Sequence, residues 1–246
     1  MANWESLTEG GIEAYVARPA AADLPTPTRG AIVFCAEMYG INEYARTVTA
    51  RLAAAGYAVV APDFYWRHQR RVRLSYSPED REAGLVLMRG LDRDELIADA
   101  GVALDAARAL ADGHGVAFLG MSMGGHIALR AATALSFELA ALFYPGWMLN
   151  SGMPMVGPVP PLEQAADLAK GGAFVLGVVG EEDHILPSAE WQQAEQRLTA
   201  AGVRHELISY PGVRHGFAVE DRPADYDAKA TADAWERVDA ALARYL

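Results

Sequence analysis

Cysteine is nearly absent from this chain of 246 residues: Cys35 is the one thiol. A single cysteine excludes an internal disulfide framework and leaves the redox compartment open, with a reducing cytoplasm the default. Paired cysteines and His-x-x-x-His spacing are both missing, so no metal site is expected. Positive charge is scarce as well, with 21 Lys and Arg against 32 Asp and Glu for a formal net charge of −11. That sign repels phosphate backbones and argues against a nucleic-acid partner. The segment GMSMGGH lacks the lysine and spacing of a phosphate-binding loop, and no cofactor is expected. The opening residues MANWESLTEGG have neither a basic region nor an apolar core, so no secretory leader is read. The longest uncharged run, Leu139 to Leu162, is long enough for a bilayer, but its YPG and GMPMVGPVPP punctuation would break a spanning helix. It reads as a strand and then an apolar loop. The expectation is a soluble, cytoplasmic protein, monomeric or a small homo-oligomer.

What is present is ordinary for a globular core: 52% hydrophobic and 22% charged residues, enough for one large domain over residues 1–246. Apolar runs alternate with helical patterns, which predicts an α/β fold with a mostly parallel sheet covered by helices on both faces. GAIVFCAEM from Gly30 and YAVVAPDFY read as buried strands, and Asn42 to Ala55 as a helix stopped by Gly56. A long helix is predicted from about Asp94 to Ala111, then a strand in VAFLGM. FELAALFYPG, GAFVLGVVG and HELISYPG follow as strands, with a helix from Pro187 to Gly202 between the last two. An amphipathic helix from Ala224 to Leu246 offers Tyr226, Trp235 and Val238 for packing, and PAAADLPTPTRG is a surface loop.

Ser122 sits between Gly120 and Gly124 at the junction of a buried strand and a helix. A nucleophile on such an elbow needs small residues two positions either side, and it needs a base and an orienting acid later in the chain. Asp183 follows the strand of GAFVLGVVG, at the kind of strand end where open α/β sheets place catalysis. Spacing alone leaves its neighbours Glu181 and Glu182 as rivals, and a turn or capping role as the plain alternative. His215, after the last strand and a Pro-Gly turn, is the best-placed base. His205 starts a strand and His184 abuts the candidate acid, whereas His68 and His114 precede the serine. His126 reads as a packed or partly exposed helix residue.

An oxyanion hole needs two amide donors: Met123 after the nucleophile, and Met38 in the loop after an early strand. Glu37, beside Met38 at the end of a buried strand, is costly there unless paired or solvated. A salt bridge to a nearby arginine is the plain reading.

Together these segments resemble the dienelactone hydrolases (carboxymethylenebutenolidases) of the α/β-hydrolase fold. The resemblance runs through TEGGIEAYVARP, AEMYGINEYARTVTARLAAAGYAVVAPDFYWR, GMSMGG, GEEDHILP and RHGFA. It implies a Ser122–His215–Asp183 triad, and gives Glu37 the role of an acid that contacts the resting nucleophile and tunes it. Serine stands where the family's founders have cysteine. The resemblance also implies two arginines that grip a substrate carboxylate. Arg81 in SPEDREAG matches one, but Val219 stands at the other, which counts against an anionic lactone.

Tyr144 and Trp147, together with Arg81, are the candidate substrate-contacting residues. The loop that carries Trp147, Met148, Met153 and Met155 either walls the pocket or packs on its own core. Arg67, Arg70, Arg71 and Arg73 read as a solvated surface or an oligomer contact, with anion steering a lesser alternative. The expected function is hydrolysis of a carboxylic ester or lactone through an acyl-enzyme, on a small-molecule substrate, with no membrane or nucleic-acid partner. Acyl transfer or peptide hydrolysis on the same triad is one alternative; a ligand-binding module with little turnover is another.

Overall fold

The computed structural model describes residues 2–20 and 28–246. The centre of the expected surface loop, residues 21–27, lies outside them. Eight strands form one sheet in the order β1-β2-β4-β3-β5-β6-β7-β8. The strands are β1 Ala2–Ser6, β2 Glu13–Ala17, β3 Ala31–Cys35, β4 Ala58–Pro62, β5 Val116–Met121, β6 Leu139–Phe143, β7 Phe174–Gly180 and β8 His205–Tyr210. β1 and β2 pair antiparallel, and β2 pairs antiparallel with β4. From β4 to β8 every pairing is parallel. The α/β architecture expected from the alternating apolar runs is thus present.

Seven helices cover the sheet: α1 Glu43–Ala54, α2 Pro78–Arg89, α3 Arg93–Leu110, α4 Met123–Ala132, α5 Ala165–Gly171, α6 Ser188–Ala200 and α7 Ala228–Tyr245. Strand alternation divides the core between two faces. Ile32 and Phe34 of β3 join Val48 and Leu52 of α1 and Val238 of α7. Ala31, Val33 and Cys35 face the other way, with Leu104 of α3, Ile127 of α4 and Leu198 of α6. Cys35 is therefore a packing residue, and burial pushes its thiol pKa up, so it is neutral and unreactive.

Capping accounts for the helix ends. Asn42 accepts the Ala45 amide at 3.0 Å to open α1, and Gly56 takes φ +100° just past its end. α2 was not anticipated. Only Gly84 and Met88 of it are buried, so its apolar periodicity is faint although Ser77 caps it and Pro78 stands in its first turn. α7 starts four residues later than expected, because Asp227 caps it by accepting the Ala230 amide at 2.8 Å. Tyr226 therefore precedes the helix, and its hydroxyl reaches Glu220 at 3.5 Å instead of packing in the core. Within the run Leu139 to Leu162, β6 gives way to a loop with two short 3-10 turns, Pro154–Val156 and Pro161–Gln164. No helix among the described residues is long and apolar enough to cross a membrane.

Candidate active site

The carboxyl ends of the parallel strands all open on one side, and the chemistry-bearing residues gather there. Glu37 and Met38 follow β3, Ser122 follows β5, Tyr144 follows β6, Asp183 follows β7 and His215 follows β8. This is the crevice in which open α/β sheets bind ligands.

Ser122 takes φ 53° and ψ −115°, a backbone conformation that L side chains rarely adopt. Its neighbours leave no room for anything but glycine. A Cβ on Gly120 would strike the Gly124 carbonyl, and one on Gly124 would strike the Cys35 carbonyl. The turn is held by the Ser122 amide donating to the Phe143 carbonyl at 2.9 Å and by the His126 amide donating to the Ser122 carbonyl at 3.1 Å. The half-buried hydroxyl is thereby lifted off the sheet beside the N-terminus of α4.

Ser122 Oγ lies 2.9 Å from His215 Nε2, and His215 Nδ1 lies 2.7 Å from Asp183 Oδ2. With the Nδ1 proton turned to the Asp183 carboxyl, Nε2 is left to accept from the serine hydroxyl. The other oxygen of Asp183 accepts the Ile185 and Leu186 amides at 2.7 and 3.0 Å, which fixes the carboxylate. The rivals are engaged elsewhere. Glu181 accepts from the Ser209 hydroxyl at 3.0 Å, and Glu182 pairs with Arg214 at 3.7 Å. His205 Nδ1 lies 2.8 Å from the Val203 carbonyl, whereas His184 stands edge-on to His215 with ring centroids 5.7 Å apart.

Above Ser122 lies a cavity of about 110 Å³, lined among others by Glu37, Met38, Arg81, Met88, Trp147 and His215. An open groove bordered by Tyr44, Arg73 and Asp221 is larger, at about 610 Å³, but contains neither Ser122 nor His215. The small cavity is the one that joins the hydrogen-bonded side chains to apolar walls. Met123 is the first residue of α4, where an amide has no preceding carbonyl within the helix to receive it.

Glu37 corrects two expectations. It forms no salt bridge, and it makes no hydrogen bond to Ser122, whose hydroxyl is taken by His215. One oxygen accepts from Tyr76 at 3.4 Å, while Oε1 is buried without a partner. Burial pushes the carboxyl pKa up, against the opposing pull of the Arg222 charge. The Tyr144 hydroxyl stands near enough to favour the ionised form, yet neither it nor Oε1 completes a well-formed hydrogen bond. Tyr144, expected at the substrate, is fully buried and does not line this cavity. Its ring stands behind the site, 5.0 Å from that of His215 and 5.3 Å from Phe217.

Trp147 and Arg81 both line the cavity, whereas Met148 and Met155 of the same loop as Trp147 are fully buried in the core. Val219 is fully buried too. Arg222, a residue that the sequence reading overlooked, brings a guanidinium to the cavity. Successive turns, with the Val219 amide on the Gly216 carbonyl at 3.1 Å and the Arg222 amide on the Val219 carbonyl at 3.0 Å, wind the chain back on itself. The guanidinium then lies against Gly216, where any Cβ would collide with it, and lines the cavity. Its pKa is raised, because Glu37 and Asp225 outweigh the burial that opposes its charge.

The four arginines of the segment 67–73 each meet a carboxylate of the chain. Arg67 pairs with Asp99, Arg70 and Arg71 with Glu13, and Arg73 with Glu43. No cluster of metal-ligating side chains occurs among the described residues.

A mostly parallel sheet with helices on both faces, and a strained serine at a strand-to-helix elbow, define an α/β-hydrolase. The model of the Dienelactone hydrolase family matches residues 12–246, and the chain belongs to that family. A Synechocystis protein named "Putative carboxymethylenebutenolidase" is 32% identical over 92% of this chain and 89% of its own length. A Klebsiella pneumoniae crystal structure described as a "Putative Dienelactone Hydrolase" superposes with a TM-score of 0.83 at 28% identity, covering 100% of this chain and 99% of that one. An esterase from Thermogutta terrifontis, 20% identical, shares the fold with a TM-score of 0.67 over 99% of this chain and 94% of that one.

Proposed function

We propose that the protein hydrolyses a compact carboxylic ester or lactone through Ser122. The observation that carries this reading is the unbroken relay from Ser122 Oγ through His215 to Asp183, at 2.9 and 2.7 Å, opening on a cavity. His215 Nε2 takes the serine proton as Oγ bonds to the substrate carbonyl carbon. The resulting oxyanion sits between the Met38 and Met123 amides, with the positive end of the α4 dipole adding to the second donor. Collapse expels the alkoxide, which takes the proton from His215, and leaves an acyl-enzyme. Water then gives a proton to His215 and attacks the acyl carbon. Carboxylic acid leaves, and the proton returns to Ser122.

The cavity also speaks for substrate charge. Two guanidinium groups line it, Arg81 and Arg222, while the Glu37 carboxyl is biased towards its neutral form. Such a site favours an ester or lactone that carries a carboxylate, and Arg222 removes the objection raised by Val219.

Labelling with a fluorophosphonate, followed by mass spectrometry, tests the nucleophile. A single adduct on Ser122, and multiple turnovers of p-nitrophenyl esters lost in Ser122→Ala, are expected. Wild-type turnover by Ser122→Ala would sink the assignment. Preferential transfer to added alcohol or amine instead of water would move the reaction to acyl transfer.

A further inference from the structure

α4 does more than carry the elbow at its start. Residues 122, 126 and 130 recur at four-residue spacing and so share one stripe of the helix. His126 is fully buried, with Nδ1 3.3 Å from the Gly146 carbonyl and Nε2 without a partner. Burial first, and then the nearby Arg130 charge, lower its pKa to about 4, so the ring is neutral at ordinary pH. Arg130 is 1% exposed and pairs with no carboxylate among the described residues. Its guanidinium donates instead to the Gln164 side chain and to the Val156 and Val159 carbonyls, the last two at 2.8 and 2.6 Å. Burial lowers its pKa to about 10, which leaves it charged.

A buried charge satisfied by neutral acceptors is a poor source of stability. What it does here is tie the loop between β6 and α5 to the nucleophile's own helix. That loop contains Trp147, which lines the cavity with φ +52°, a conformation costly for a bulky residue. Strain of about 1–3 kcal/mol persists only where the surroundings over-determine it. The anchors lie on both sides of Trp147: His126 at Gly146, and on the other side the Met148 carbonyl, which accepts at 3.1 Å from the amide of Leu162, a residue flanked by Val159 and Gln164, which Arg130 holds. The Trp147 and His126 rings also meet edge-on, with centroids 6.5 Å apart.

We infer that Arg130, with His126, is a positioning residue that holds Trp147 as the wall setting the size of ester the cavity accepts. The inference rests on the hydrolase reading above. It is tested by the ratio of kcat/KM for p-nitrophenyl hexanoate to that for the acetate, with active Ser122 counted by fluorophosphonate. Loosening a pocket wall is worth about tenfold in such a ratio. Arg130→Met and Trp147→Ala should each raise it by that order, and the double variant no further than Trp147→Ala alone. Arg130→Lys should restore part of the wild-type ratio. Should Arg130→Met fail to fold, Gln164→Ala removes one anchor and should move the ratio the same way, by less.

An unchanged ratio in a folded variant, or effects that multiply in the double variant, would overturn the inference. If the wild type turns over no ester, the hydrolase reading fails by itself, and acrylamide quenching of Trp147 decides the positioning. Taken as wild type minus Trp147→Phe, its accessibility should rise in Arg130→Met. Unchanged quenching would sink the idea.

Discussion

Glu37 and Arg222 line one cavity without pairing: the Arg222 guanidinium donates to Asp225 at 2.6 Å, and Glu37 Oε1 is buried with no partner. A carboxyl in that position is held above its ordinary pKa of 4.5 by burial, despite the nearby positive charge. Below about pH 4.5 it is neutral in folded and unfolded chains alike. As the pH rises through the folded pKa, the fold retains a proton that the unfolded chain has already lost, and stability falls. Glu37→Gln removes that dependence. Its Tm relative to wild type should therefore be more favourable at pH 8 than at pH 4, measured by thermal melts across that range. A Tm difference that does not change with pH would show that Glu37 ionises as freely in the fold as in water.

The position of Arg222 on the cavity makes substrate charge testable. If it meets a substrate carboxylate, Arg222→Met should raise KM for an anionic lactone or a hemisuccinate ester by at least about tenfold, the scale of one lost charge-assisted hydrogen bond. KM for a neutral ester of the same size should change little. The two substrates run side by side at constant ionic strength make the comparison. Equal losses on both would mean that Arg222 supports the loop structure, not substrate charge.

Asp183 is distinguished from its neighbours by contact, so its substitution should be distinguished by rate. Asp183→Asn keeps the shape but leaves His215 in the wrong tautomer, and a loss of roughly ten-thousandfold in kcat is the expected scale. Glu182→Gln touches only an exposed ion pair with Arg214 and should leave kcat within about twofold of wild type. Single-turnover acylation by a p-nitrophenyl ester measures both. Loss in Glu182→Gln with activity retained in Asp183→Asn would exchange the two roles.

Which of these residues could be read from sequence follows from how each is placed. Glu37, Ser122, Asp183 and His215 each stand at or just beyond a strand end, so an apolar run pointed to each stretch, although it did not separate Asp183 from Glu181 and Glu182. Arg222 was not legible, because it reaches the cavity only after two successive turns, and position 219 looked like the relevant one. His126 was read as a packed or partly exposed helix residue, and it packs. Its bond to Gly146, and the whole reach of Arg130 to Val156 and Val159, depend on a loop without periodicity. Tyr144 failed in the opposite sense: its place after β6 suggested a substrate contact, but the packing of Phe217 and His215 on its ring closes it off. Helix α2 was missed because so little of it is buried that its hydrophobic stripe barely exists.

The backbone at Ser122 carries a last consequence, one about stability. With φ 53° and ψ −115°, the residue occupies a region open to glycine and strained for any side chain with a Cβ. Ser122→Ala removes the hydroxyl and keeps the strain, whereas Ser122→Gly removes both. The glycine variant should therefore be the more stable of the two inactive proteins, by about 1 kcal/mol after its larger unfolded-state entropy is counted. In a chain of this length that corresponds to a rise of roughly 2–4 °C in Tm. Calorimetry on the two variants under identical conditions reads the difference directly. A glycine variant no more stable than the alanine one would mean that the elbow relaxes once the hydroxyl is gone. The strain would then belong to the hydrogen bond with His215 and not to the turn itself.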